Sequence, residues 1–120
     1  MTSKRLLTPV KLNLFYAADY IEKFGHFKAE LHDQDECKQR TKLMPSVCAM
    51  GAINMTTSND LVAHHAKSVL AKYIWTSVYK EDDDNRDDDQ SIIANWNDLP
   101  SRKPEEVIAA LRAAAMATNE

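Results

Sequence analysis

The chain has 120 residues, 44% of them apolar, with two glycines and four prolines. That suffices for one hydrophobic core, leaves no room for separate catalytic and regulatory domains, and supplies too few turn formers for a sandwich or barrel. A net charge of −3 is no general nucleic-acid footprint, and neither a membrane-spanning apolar run nor a signal-peptide core is present. The expectation is a mainly α, cytoplasmic single domain spanning 1–120, a bundle of about four to five short helices. Cys37 and Cys48 read as free thiols in that setting.

In chain order, Thr8-Pro9 predicts a helix start and Gly25 its stop. Val10, Leu14, Ala17, Ala18, Ile21 and Phe24 lie on one face at helical spacing and mark its buried side. Leu12, Phe15 and Tyr16 fall outside that stripe; burial on a second side is the preferred reading, a partner-binding patch the alternative. Residues 27–31 alternate like a short extended segment, and 32–43 form a polar loop. Pro45-Ser46 predicts a second helix over 47–55, apolar all round and therefore central.

Ser58-Asn59-Asp60 caps a third helix reaching about Val78, with Val62, Ala66, Val69, Leu70 and Tyr73 as its core stripe. Leu61, His64, Ser68, Trp75 and Tyr79 lie opposite. Two large aromatics on that face require either that the following loop folds over them or that another molecule does. The run 81–89 holds seven acids against Arg86 alone, so 81–90 is expected to be a solvated loop, with disorder as an open alternative. Ser91 then opens a short buried segment with Ile92, Ile93 and Trp96. The last helix starts near Pro104, where Glu105 and Glu106 suit the positive dipole end, and buries Val107, Ile108, Leu111, Ala114 and Ala115.

Three stretches together carry a resemblance: Tyr16-Ala17-Ala18-Asp19-Tyr20-Ile21-Glu22, then Val47-Cys48-Ala49-Met50-Gly51-Ala52-Ile53, then Ile93-Ala94-Asn95-Trp96-Asn97-Asp98 continuing through Arg102 to Glu105-Glu106-Val107. They resemble a family of small uncharacterised proteins common in bacteriophages and in bacterial genomes with prophage-like islands. The resemblance implies a helical fold and a mobile-element setting, and no assigned chemistry. Lys103 stands where such proteins tend to carry a threonine; a lysine cannot accept backbone hydrogen bonds, so Ser101 or Asp98 is the expected substitute cap. The acidic run 81–90 is the other departure.

Cys48, expected about two residues into a helix, is the one candidate nucleophile, since free N–H groups and the dipole there favour a thiolate. His64 or His65 as base and Asp98 or Asn97 as orienter complete a triad on paper, of which Cys48, His65 and Asp98 is the best version. A buried thiol filling space beside Gly51, where two helices pass closely, is the preferred reading. For Trp96, Asn97 and Asp98 a structural turn is preferred, with the polar pair binding backbone N–H groups and tying the turn to the last helix.

The run 82–89 lacks the glycine and the closing glutamate of a calcium loop, and His26, His32 and Cys37 lack zinc spacing. No metal and no cofactor is expected.

The leading functional expectation is a non-enzymatic binding protein, an accessory factor of a phage or mobile element acting on a host or defence protein. Its contacts are Trp75, Tyr79, Asp83, Asp84, Asp87 and Asp88, the acids mimicking the phosphates of a nucleic acid. The alternatives are a cysteine-dependent hydrolase or transferase and a homodimer sharing Leu12, Phe15 and Tyr16. Direct nucleic-acid binding is not expected.

Overall fold

A computed structural model describes the backbone of residues 2–26 and 47–118, and side chains from Pro9 onward. The expected extended segment at 27–31 and polar loop at 32–43, with His32 and Cys37, lie outside the described residues. The architecture is mainly α. Five α-helices are described: α1 (Thr2–Phe24), α2 (Ala49–Met55), α3 (Asp60–Tyr73), α4 (Asp89–Asn97) and α5 (Pro104–Ala117). A π-helical turn, Ile74–Val78, extends α3, and a 3-10 turn, Asp83–Asn85, precedes α4. None of the described helices is long and apolar enough to cross a membrane.

Helix α1 buries Val10, Leu14, Ala17, Ala18 and Ile21, as the spacing requires, and packs against α5, α2 and α3. It begins at Thr2, however, and runs through Pro9. Pro9 keeps a helical φ there but has no N–H for the i−4 hydrogen bond, so it stands at a position proline disfavours, and the Thr8-Pro9 signal misplaces the start. Gly25 does end the helix: its φ of 106° is left-handed, and its N–H reaches the Ile21 carbonyl at 2.8 Å. Of the residues beside the stripe, Phe15 packs on the core while Leu12 and Tyr16 are exposed. Arg112 of α5 locks onto α1 from outside, its Nη2 lying 2.9 Å from both Asp19 Oδ1 and Glu22 Oε1. Those two carboxylates, Glu22 first, hold the guanidinium above its ordinary pKa.

Helix α2 starts two residues later than the sequence suggests. Val47 lies in an isolated parallel bridge with His26, and Cys48 is the N-cap. Ala49, Ala52 and Ile53 are buried, but Asn54 and Met55 reach solvent, so the helix touches α1, α3 and α4 without being enclosed. Asn13, buried within α1, fixes the other end of α2: its Nδ2 donates to the Ile53 carbonyl at 3.1 Å and to Thr56 Oγ1 at 2.8 Å.

Asn59 caps α3 as expected, its Oδ1 accepting from the N–H groups of Leu61 and Val62. Helix α4 begins inside the expected loop, because Asp88 is a good N-cap and Asp89 joins the first turn. At α5 the capping box is half built. Glu106 accepts the Lys103 N–H at 2.9 Å; the ammonium of Lys103 has no lone pair to return, and the Glu106 N–H goes to the Lys103 carbonyl. Neither Ser101 nor Asp98 takes the cap position.

Candidate functional site

The acidic run is held in place by the aromatic face that precedes it. Lys80 takes a left-handed φ of 59°, a position usually given to glycine or asparagine at a helix end. The chain therefore doubles back onto the π-helical turn. The Glu81 N–H donates to the Trp75 carbonyl at 2.9 Å, and Trp75 Nε1 donates to the Asp82 carbonyl at 2.8 Å. Tyr79 meets the Trp75 ring edge-on, centroids 6.3 Å apart. Of the two coverings considered for this face, the loop folding back is seen at Trp75, while Tyr79, Leu61 and His64 stay exposed.

Within the run the acids divide by task. Asp82 Oδ1 accepts the Asp84 N–H and starts the 3-10 turn. Asp88 Oδ2 accepts both the N–H and the hydroxyl of Ser91, at 3.0 and 2.9 Å, and caps α4. Arg86 lies between Asp83 at 3.6 Å and Asp89 at 3.7 Å. This leaves Glu81, Asp84 and Asp87 exposed, with no ion pair or side-chain hydrogen bond among the described residues. A cleft of about 400 Å³ adjoins the run, with Asp60, His64 and Lys67 of α3 lining it beside Asp88 and Asp89.

Asn97 organises a second cluster. It is 1% exposed at the end of α4. Its Oδ1 accepts from the Ala49 N–H at 3.1 Å and pairs with His26 Nε2 at 2.7 Å, while its Nδ2 donates to Asp98 Oδ1 at 2.9 Å. Because an amide oxygen only accepts, His26 carries its proton on Nε2 here. One side chain thus joins the end of α1, the first turn of α2 and the end of α4. The expected direction was different: among the described contacts Asn97 ties to α2 and His26, and the link to α5 comes from Arg102.

Arg102 donates from Nε to the Trp96 carbonyl at 3.0 Å and from Nη1 to Glu106 at 3.1 Å, and its guanidinium stacks 4.3 Å from the Trp96 ring centroid. Glu106 titrates below its ordinary range, first because it accepts the Lys103 N–H and then through Arg102; its own partial desolvation opposes the shift.

Cys48 is half-buried at the N-cap, where its Sγ accepts the Gly51 N–H at 3.3 Å. No described contact joins Cys48 to His65 or Asp98; His65 is exposed on α3, edge-on to His64, and Asp98 is the C-cap of α4. Nor does Gly51 mark a helix crossing. A Cβ there would meet Val47 Cβ at 3.1 Å and Cys48 Sγ at 3.6 Å, so the tight neighbour is the chain turning into α2. Among the described residues no group of three or more His, Cys, Asp or Glu is placed to hold a metal.

Sequence reasoning missed Lys80, His26, Arg86 and Arg102 as organisers. A left-handed lysine has no sequence signal, but Arg86, as the lone cation in the run, offered one. No curated protein and no solved structure matches the chain. A family model does match, across residues 6–117, and the chain belongs to that family, the family of unknown function DUF6197.

Proposed function

We propose that the protein is a small non-enzymatic binding protein that offers its acidic turn to a cationic surface on a partner protein. The observation that carries this reading is the bond from Trp75 Nε1 to the Asp82 carbonyl. It holds the acids on a defined turn, so Glu81, Asp84 and Asp87 present their charges without the ordering entropy that a loose loop loses on binding. Tyr79, 38% exposed beside them, adds an aromatic edge to the contact.

Acids spaced along an ordered turn are also a means of imitating phosphates. The reading therefore favours a partner whose own ligand is a nucleic acid, met by fast, salt-sensitive association. In the phage or mobile-element setting implied by the resemblance, the partner is a host or defence protein. Asp83 and Asp88 have smaller parts than the sequence suggests, since Arg86 offsets the first and the cap of α4 occupies the second. The test is whether a partner captured from host lysate is lost when Glu81→Gln, Asp84→Asn and Asp87→Asn are combined. Retention would remove the turn from the mechanism.

A further inference from the structure

Residues 80–90 contain no apolar side chain, and none of them is buried. Docking this run on the α3 extension therefore adds nothing of its own to the core. Two hydrogen bonds hold it there, from the Glu81 N–H to the Trp75 carbonyl at 2.9 Å and from Trp75 Nε1 to the Asp82 carbonyl at 2.8 Å. Beyond the 3-10 turn the next fixed point is Asp88, the cap of α4.

Three features oppose closure. Lys80 sits at a φ of 59°, a left-handed conformation that strains a residue with a Cβ and leaves glycine unstrained. The acids of the turn repel one another. Arg86, the lone cation of residues 81–90, approaches Asp83 at 3.6 Å and Asp89 at 3.7 Å, both beyond hydrogen-bonding distance. Its Nη1 is buried without a hydrogen-bond partner among the described residues. A segment with few bonds, no apolar anchor and built-in strain opens locally while the helices around it stay folded.

We propose that residues 80–87 form a charge-gated strap over Trp75. Closed, it takes the indole N–H and sets the acids on one turn. Open, it frees Trp75 beside the exposed Tyr79. Repulsion loosens the strap, so screening or neutralising the acids shuts it. Its use in the cell rests on the function proposed above: a cationic partner surface shuts the strap as it binds, and by linkage a shut strap binds that surface more tightly.

The test is hydrogen exchange in the free protein, so its outcome does not depend on whether a partner is found. The Glu81 N–H and the Trp75 indole N–H report opening. The Asp87 N–H lies in the same run without a hydrogen bond among the described residues, and serves as the reference for base catalysis beside the acids. Leu111, fully buried in α5, shows whether the helices stay folded. Relative to Asp87, added salt is expected to slow both reporters. Lys80→Gly should slow them about five-fold. Trp75→Phe, which keeps a ring and removes the donor, should speed Glu81 about five-fold. Leu111 should be unchanged throughout. Reporters that do not slow with salt relative to Asp87, that exchange only together with Leu111, or that do not slow in Lys80→Gly would overturn the proposal.

Discussion

His26 Nε2 and Asn97 Oδ1 lie 2.7 Å apart across 71 positions of sequence, and the same oxygen takes the Ala49 N–H. Truncating Asn97 leaves a buried backbone donor without an acceptor as well as an unpaired imidazole contact. Asn97→Ala should therefore destabilise the fold by about 2–3 kcal/mol, measured by urea denaturation. A loss no larger than that of an ordinary surface substitution would remove the clasp from the account.

Neighbouring aspartates in the acidic run should behave differently. Asp88 caps α4 through Ser91, whereas Asp87 has no such contact among the described residues. Asp88→Ala is expected to cost about 1 kcal/mol and Asp88→Asn to be nearly neutral, because an amide oxygen caps as well as a carboxylate. Asp87→Ala should stay within about 0.5 kcal/mol of wild type. Equal losses at the two positions would contradict the helix start.

Cys48 caps α2 through sulfur, a weaker acceptor than oxygen. Cys48→Ser should hold or slightly raise stability, while Cys48→Ala loses about 1 kcal/mol in the same denaturation series. A thiol held for its chemistry would instead show in fast iodoacetamide alkylation of the folded protein.

Glu106 sets an acid-side dependence. Its folded-state carboxyl titrates below the ordinary range, so its contribution is complete above that range and is lost as pH falls through the lowered value. The difference in thermal midpoint between wild type and Glu106→Gln should be present at neutral pH and close below about pH 4. A difference that widens on acidification would reverse the assigned sign.

Helical periodicity made the core legible. The stripes Val10 to Ile21 and Val107 to Ala115 are buried where spacing placed them, except that Ile108, like Phe24 at the end of the first stripe, is only partly buried against the core; Asn59 caps α3 as its position indicates. Boundaries were less visible, because Pro9 stands inside α1 at a position proline disfavours, and Asp88 among so many acids does not announce which one caps. The clasp from His26 to Asn97 was out of reach for a different reason. Its partners come from separate elements, and no local pattern records a contact across 71 positions. The covering of Trp75 stood as one of two options; choosing between them needed the left-handed Lys80, which no residue preference predicts.

The most direct test of the proposed function is a binding isotherm for the captured partner at low and moderate salt, comparing wild type with the combined Glu81→Gln, Asp84→Asn and Asp87→Asn variant. The account predicts wild-type affinity that falls as salt rises, and a variant that folds normally, binds weakly and has lost most of that salt dependence. Undiminished binding by the folded variant, with the same salt dependence as wild type, would contradict it.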